Sequence, residues 1–168
     1  MQNYIFDKLI AAGAEFGIKP FGIRAMTAMA IEKSYKLIPR ELSIEYAALE
    51  SGLDRFISTK KPAYKGRECL FARKEKGFKW QFCTLEVLDV TDADARGSEV
   101  ILKDGKPIGR ATSGGYGWRC GKSLALAMLD PGQAVVGNEV DIVILGTSHK
   151  AVVIADSPFD PENNALRS

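Results

Sequence analysis

The fold of the C-terminal half of the chain is decided by the stretch Val100-Ile-Leu-Lys-Asp-Gly-Lys-Pro-Ile-Gly-Arg-Ala111. In this stretch Asp104-Gly105 separates two short runs, residues 100–103 and 107–111. A two-residue hairpin turn requires positive φ angles, which glycine tolerates at no steric cost. The pattern therefore predicts two antiparallel strands joined by a tight turn.

Strand signals continue on both sides of this hairpin. Residues 82–88 alternate with a period of two, and further strands are expected at 123–129, 139–145 and 151–155. Turn residues punctuate these runs at Pro131-Gly132 and Gly146-Thr147-Ser148. Five or six short strands with no long helix between them favour an antiparallel barrel or a sandwich. We expect a barrel of about six strands.

The chain has a different character before Gly77. Apolar residues at helical spacing predict helices from Asn3 to about Glu15, over residues 22–33 and over residues 67–76. Around Gly52, within residues 46–57, we expect a short helix followed by a short strand. The predicted fold class is α+β: a short helical and mixed N-terminal piece (residues 1–76), followed by the antiparallel barrel (residues 77–168).

Composition excludes several classes of function. The 168 residues are 46% hydrophobic and 26% charged, with a net charge of +2, which fits one ordinary globular domain or two small lobes and not a nucleic-acid binder. No apolar run is long enough to cross a membrane, and the start lacks the features of a secretory signal. Three cysteines without CxxC spacing predict neither a disulfide framework nor a metal site. We expect a reducing, cytoplasmic compartment.

A glycine-rich segment between residues 113 and 123 superficially resembles a phosphate-binding loop. Such a loop needs a glycine at position 116, which is tyrosine here, and it must open a helix, whereas a strand is expected after Lys122. The segment is therefore interpreted as a glycine-rich bend between two strands.

Charged residues near the middle and the end of the chain leave their roles open. The basic residues between positions 60 and 79 are open to two interpretations. They form a surface that binds a polyanion or an acidic partner, or they are only the solvated side of a helix. Glu32 follows an apolar run, and three roles stay open for it: a general acid or base, a hydrogen-bond acceptor for a ligand, or a structural carboxylate at the surface. The polar tail, residues 160–168, is expected to be mobile unless docked. The basic residues are Lys60, Lys61, Lys65, Arg67, Arg73, Lys74, Lys76 and Lys79.

Ordered segments along the chain resemble the glycine-cleavage T-protein (aminomethyltransferase) family, particularly the T-protein-like tails of dimethylglycine and sarcosine dehydrogenases. No single segment is specific, but their order and spacing match over essentially the whole chain. The segments are Gly22-Ile-Arg-Ala-Met-Thr-Ala-Met-Ala-Ile-Glu-Lys33, Pro39-Arg-Glu-Leu42, Glu45-Tyr-Ala-Ala-Leu-Glu-Ser-Gly-Leu53, Tyr64-Lys-Gly-Arg-Glu-Cys-Leu70, Gly109-Arg-Ala-Thr-Ser-Gly-Gly-Tyr-Gly117, Gly121-Lys-Ser-Leu-Ala-Leu-Ala127 and Asp160-Pro-Glu-Asn-Asn-Ala-Leu-Arg167.

This resemblance implies folate-dependent one-carbon transfer from an amine of the glycine, sarcosine or dimethylglycine type to tetrahydrofolate. The family's reacting aspartate lies in an N-terminal half that these segments do not include, so the resemblance implies a C-terminal portion that is inactive alone. Its expected partners are folate, a small amine and the missing N-terminal half or a partner subunit. FAD would belong only to a full-length dehydrogenase.

The resemblance also implies cofactor-binding residues, although no catalytic or metal-binding ones. A ligand-contacting arginine of the family falls on Met26 here, which shifts that role to the nearby Arg24. Glu32 matches the family's Leu-Glu glutamate. Arg55 occupies the column of a folate-stacking tryptophan, where a guanidinium plane can also stack. Residues near the C-terminus close the folate channel in relatives, which implicates Asn164 and Arg167.

Two other functions remain open. The chain is alternatively a non-catalytic docking domain that completes a partner subunit, as the basic stretch suggests. A weaker alternative is the related folate-binding protein that assists iron–sulfur assembly. Residues 64–70 do not reproduce the Lys-Gly-Cys-Tyr-x-Gly-Gln-Glu signature of that group.

Overall fold

The computed structural model of the chain describes residues 1–89 and 92–168. Helices dominate the first half and strands the second, as the sequence predicts. The helices are α1 (Gln2–Gly13), α2 (Ile23–Glu32), α3 (Arg67–Lys76) and the short C-terminal α4 (Asn164–Arg167), with 3-10 turns at Ala14–Phe16 and Asp54–Phe56. The strands are β1 (Gln81–Val87), β2 (Val100–Lys103), β3 (Lys106–Gly117), β4 (Lys122–Leu129), β5 (Glu139–Ile144) and β6 (Thr147–Ile154).

The six strands form a closed antiparallel barrel in the order β1-β4-β3-β2-β5-β6. Lys103 pairs with Lys106 across the predicted hairpin, and both turn residues have positive φ, 50° at Asp104 and 73° at Gly105. These angles are those of the turn that matches the twist of two antiparallel strands. The predicted hairpin, barrel and fold class are confirmed.

Burial divides the core into two clusters. One fills the barrel, where fully buried side chains such as Leu85, Ile101 and Ile142 meet. The other lies outside the barrel wall and joins β4 to α2, since Ile31 packs there with Leu126 and Met128. Each fully buried aliphatic side chain contributes about 2 kcal/mol of transfer free energy. The barrel therefore has a complete core, and α2 is attached to its outside.

The glycine-rich bend predicted at residues 113–123 is wrong in position. Strand β3 runs to Gly117, and the chain turns at residues 118–121. A Cβ atom added at Gly114 would lie only 2.3 Å from the carbonyl oxygen of Ala95. The glycine is required by this close approach of a neighbouring segment, a contact that the local sequence does not reveal.

The N-terminal piece follows the prediction in its three helices but not around Gly52. The short helix expected before this glycine is wrong, because residues 48–52 form turns. The first helix ends at Gly13, earlier than expected, and the second and third coincide with the predicted ranges. The short strand expected after Gly52 is wrong, because a 3-10 turn, Asp54–Phe56, occupies that position. The chain continues to turn here, because the amide of Leu53 donates to the carbonyl oxygen of Ala48 and the amide of Phe56 donates to that of Leu53.

Helix α1 contrasts with α2 because none of its residues is buried. Apolar side chains remain exposed along α1 and the start of α2. None of the helices in the described residues is sufficiently long and apolar to cross a membrane. The exposed side chains are Tyr4, Ile5, Phe6, Leu9, Phe16, Ile18, Phe21, Ile23, Met26 and Met29.

Candidate functional site

A cavity of about 470 Å³ lies where the N-terminal piece meets the chain after β6. Three cationic side chains line it, Lys33, Lys36 and Arg55, against the carboxylate of Asp156. Tyr35, Leu53, Phe56 and Pro161 are among its apolar lining. A concave site with an apolar wall and a few charged groups is typical of a pocket for a small organic ligand.

One wall of the cavity is formed by the C-terminal tail, which Lys33 attaches to α2. The Lys33 ammonium donates to the carbonyl oxygen of Asp160 at 2.6 Å and to Oδ1 of Asn163 at 2.8 Å. The hydroxyl of Ser157 donates to the Lys33 carbonyl at 2.9 Å. The tail up to Asn163 is therefore docked on the protein, and two of the three donors of the Lys33 ammonium are used within the fold.

A chain of hydroxyl groups orients Asp156 at the cavity. Thr84 Oγ1 donates to Asp156 Oδ1 at 2.8 Å, and Ser34 Oγ lies 2.8 Å from Thr84 Oγ1. Since the Thr84 proton is directed at Asp156, Ser34 must donate to Thr84. Ser34 Oγ in turn accepts the amide proton of Ser157 at 2.9 Å. The carboxylate of Asp156 is thus held by Thr84 of strand β1, and Thr84 is held in turn by Ser34, which lies just after α2.

Lys36 and Arg55 complete the charged lining. The Lys36 ammonium lies 3.6 Å from Asp156 Oδ2 and 4.0 Å from the centroid of the Phe82 ring. The Arg55 guanidinium is on the protein surface and lies 4.5 Å from the centroid of the Phe56 ring. Both cations are therefore held against aromatic faces, which attract positive charge.

Glu32, a predicted cofactor-binding residue, holds the β3–β4 turn. Its side chain is buried, and Oε1 accepts the amide protons of Arg119 at 2.6 Å and Cys120 at 3.1 Å. Burial and the negative charge of Glu32 raise the pKa of the Cys120 thiol. The carboxylate therefore has a structural task, and its role toward a ligand stays a prediction.

Of the other predicted residues, only Arg55 lines the cavity. Arg24 lies exposed in the first turn of α2. Asn164 donates its amide proton to Asp160 Oδ1 at 2.7 Å. Arg167 is exposed at the end of α4. The structure thus places Asn164 and Arg167 beyond the docked part of the tail, and their cofactor roles also stay predictions.

The sequence reasoning missed Lys33, Lys36, Asp156 and Asn163. Lys33 directly follows Glu32 and Lys36 comes three positions later, a signal that could have been noticed. Nothing local connects Asp156 with Thr84, since 72 positions separate them and only the barrel brings them together. Asn163 is next to the predicted Asn164, so that prediction was one residue from the cavity.

The basic stretch before the barrel is attached through Glu50. This buried carboxylate accepts amide protons from Ala47, Lys79 and Trp80 at 2.7, 2.8 and 3.2 Å, and a guanidinium proton from Arg73 at 3.2 Å. Burial opposes its ionisation, but the donors outweigh burial and lower the pKa of Glu50.

The described residues contain no group of three side chains suited to hold a metal ion.

Comparison with known proteins identifies two family domains in this chain. The glycine cleavage T-protein C-terminal barrel domain matches residues 81–160, and the GCVT N-terminal domain matches residues 1–61. The chain is 36% identical over 166 residues to dimethylglycine dehydrogenase from Homo sapiens, covering 97% of the chain and 19% of that protein. It is 31% identical over 150 residues to an aminomethyltransferase from Desulfitobacterium hafniense, covering 89% of the chain and 40% of that protein.

A solved structure shares the fold. The glycine cleavage system aminomethyltransferase T from Bartonella henselae superposes with a TM-score of 0.82 at 18% identity, covering 95% of this chain and 44% of that one. The chain therefore spans about a fifth of the length of the dehydrogenase and about two fifths of the aminomethyltransferases that it matches.

Proposed function

Since the chain belongs to the glycine-cleavage T-protein (aminomethyltransferase) family, we propose that it is the C-terminal portion of a tetrahydrofolate-dependent aminomethyltransferase-like module. In such a module it contributes to one-carbon transfer from an amine of the glycine, sarcosine or dimethylglycine type to folate. The relatives include proteins described as aminomethyltransferases and as dimethylglycine dehydrogenases.

The cavity carries this proposal. It lies between residues 33–56, within the part matched by the N-terminal family domain, and residues 156–163, at the end of the part matched by the barrel domain. Arg55, the predicted folate-binding position, lines it together with the aromatic residues Tyr35 and Phe56. A cavity of this size with aromatic walls and cations fits a planar, anionic ligand such as a reduced folate.

We further propose that an N-terminal half, on the same or another polypeptide, covers the exposed apolar face of α1 and α2. An apolar surface of that extent is typical of a protein interface. The boundary between the folate-binding part and the barrel is placed at residues 76 and 77, in the interval between the two matched domains. FAD would bind only to a further domain of a full-length dehydrogenase.

The proposed location is the cytoplasm. Cys69, Cys83 and Cys120 are free, which fits a reducing compartment. The dehydrogenases among the relatives are described as mitochondrial, so localisation of the tagged full-length gene product by fluorescence microscopy is the test. A mitochondrial signal would replace the cytoplasmic assignment.

Folate binding is tested best in a fusion protein. The chain replaces the corresponding C-terminal part of the Desulfitobacterium hafniense aminomethyltransferase, and tetrahydrofolate is titrated under anaerobic conditions by calorimetry. We expect saturable binding, weakened by Arg55→Ala and unchanged by Lys106→Ala, a cation in the β2–β3 hairpin. A folded fusion protein that does not bind the cofactor would refute the proposed function.

The isolated chain should not turn over, because the family's reacting aspartate belongs to the missing half. Methylene transfer is measured with the chain alone and with the fusion protein. Turnover by the chain alone would show that its own residues suffice for the chemistry.

A docking role is the second candidate, and helix α3 favours it. The helix has no buried residue and exposes several of the basic side chains of residues 60–79. Such a surface suits an acidic partner. Co-elution of the chain with a partner subunit in the absence of folate would favour docking, whereas folate-dependent binding in the fusion protein favours the cofactor site.

A further inference from the structure

The cations that line the cavity are not equivalent. The Lys33 ammonium donates hydrogen bonds to the tail, at Asp160 and Asn163. Within the described residues Lys36 has a single carboxylate neighbour, Asp156, at 3.6 Å, which is longer than a hydrogen bond. Arg55 is absent from the ion pairs of the described residues, and its guanidinium lies 4.5 Å from the centroid of the Phe56 ring. Lys36 and Arg55 therefore keep more of their donors for a ligand than Lys33, which has one left.

Lys36 is held in place although its protons are free. Its side chain is only 14% exposed, and its ammonium lies against the Phe82 ring. Asp156 cannot swing toward it freely, because Thr84 holds the other carboxylate oxygen at 2.8 Å. An ammonium that is mostly withdrawn from water gains strongly from a hydrogen-bonded anion. The cavity therefore favours an anionic group at this point.

The segment that carries Arg55 passes beside this ammonium. A Cβ atom at Gly52 would lie 3.8 Å from Lys36 Nζ and 3.6 Å from the Phe82 ring. The backbone at Gly52 has a φ of 67°, and the 3-10 turn with Arg55 begins two residues later. The two cations thus belong to one wall of the cavity, one partly buried and one at the surface.

We propose that Lys36 and Arg55 together bind the carboxylates of a dicarboxylate tail, and that for the ligand of the proposed function this tail is the glutamate end of tetrahydrofolate. This inference rests on the proposed function. Lys36 binds one carboxylate as a point charge, and Arg55 binds the other through its planar donors. Arg55 is then a carboxylate ligand and not a stacking partner of the pterin ring.

The test compares two ligands of nearly the same shape in the fusion protein. The first is tetrahydrofolate, and the second is its diamide, in which both glutamate carboxylates are carboxamides. We expect the diamide to bind at least about tenfold more weakly, since a hydrogen bond to a charged group is worth 1.5 kcal/mol or more. Lys36→Gln and Arg55→Gln should each weaken tetrahydrofolate binding about tenfold and leave the diamide within about twofold.

Two further variants separate charge from packing. Lys36→Arg keeps the charge and should preserve most of the preference for tetrahydrofolate. Asp156→Asn keeps the hydrogen bond from Thr84 but removes the competing anion, so it should strengthen binding of tetrahydrofolate and not of the diamide. Lys106→Ala is the matched control, because it removes a cation from the distant hairpin. Thermal unfolding and circular dichroism confirm that each variant is folded.

The outcomes distinguish this inference from the proposed function. Equal binding of the two ligands, or equal losses for both ligands in Arg55→Gln, would overturn the carboxylate assignment and leave the folate site in place. If the unsubstituted fusion protein binds neither ligand, the proposed function and this inference both fail. Should Lys36→Gln not fold, Arg55→Gln and Asp156→Asn still decide the result.

Discussion

The barrel and the N-terminal piece of this chain differ in how far they bury their apolar side chains. Strands β1–β6 surround a closed core in which Leu85, Ile101 and Ile142 are fully buried. Helix α1 has no buried residue, and apolar side chains such as Phe6 and Leu9 face solvent. Burial of apolar surface is the main favourable contribution to folding. The barrel therefore buries its apolar side chains within its own core, whereas α1 leaves its apolar side chains exposed.

The largest expected effect tests this contrast directly. Ile101→Ala removes a fully buried side chain from the barrel and should lower the free energy of unfolding by about 3 kcal/mol, because it leaves a cavity. Leu9→Ala on α1 should change it by less than about 0.5 kcal/mol, because that side chain is already exposed. Urea unfolding followed by circular dichroism measures both. Similar losses for the two variants would mean that α1 packs in solution as firmly as the barrel.

A smaller effect is expected at the joint between the two regions. Glu50→Gln should cost about 2 kcal/mol, since charge-assisted bonds to three amides and to Arg73 are weakened in a buried place. Glu45→Gln is the matched control. It breaks a surface ion pair with Arg110, which should cost less than about 1 kcal/mol. If the control were the more costly substitution, the exposed pair would be the stronger attachment.

The same carboxylate gives this joint a pH dependence. The pKa of Glu50 is lowered from its ordinary value of 4.5, so the folded state binds this proton less readily than the unfolded chain. Its contribution to stability is fully present above pH 4.5 and is lost as the pH falls through the lower folded pKa. The difference in unfolding free energy between the wild type and Glu50→Gln should therefore be constant near neutral pH and shrink in acid. A gap that widens in acid would contradict the assigned donors.

The smallest effect concerns the three cysteine thiols, of which one lies in the N-terminal piece and two in the barrel. Cys69 on α3 is exposed, Cys120 is partly buried beside Glu32, and Cys83 lies in the barrel core, where burial raises its pKa to about 12. A disulfide reagent at pH 8 should react first with Cys69, then with Cys120 and last with Cys83. Glu32→Gln should speed the reaction of Cys120, because removal of the negative charge lowers the pKa of this thiol and raises its thiolate fraction by more than the thiolate loses in nucleophilicity. An unchanged rate would mean that Glu32 does not influence this thiol.

The sequence predicts the barrel well because its signals are local. The turn at Asp104-Gly105 and the strand β1 are predicted from neighbours within a few residues, and the structure confirms both. Burial does not alternate along β1, because Phe82 packs in the cluster outside the barrel and Cys83 in the barrel core. The bend predicted at residues 113–123 is misplaced. Gly114 is needed within strand β3 because Ala95, in a separate segment, approaches it closely. The short helix and the short strand expected around Gly52 are also wrong, because residues 48–52 form turns and Asp54–Phe56 form a 3-10 turn.

The candidate site was harder to predict than the fold. Arg55 was found only through the family resemblance, and the residues that surround it come from three separate parts of the chain. Asp156 acquires its place through Thr84 and Ser34, a set of hydrogen bonds that exists only after the barrel has formed. Periodicity describes which face of an element is apolar, but it does not say which distant polar groups will meet.

The closed order of the strands limits how this protein can recognise other molecules. Every strand from β1 to β6 is hydrogen-bonded on both sides, because β1 pairs with β4 and with β6. The described barrel consequently offers no free strand edge to which an extended peptide or a second copy could add. Any partner that binds the barrel must contact its side chains or its loops. Selectivity for that partner can therefore be altered by surface substitutions that leave the backbone hydrogen bonding of the barrel intact.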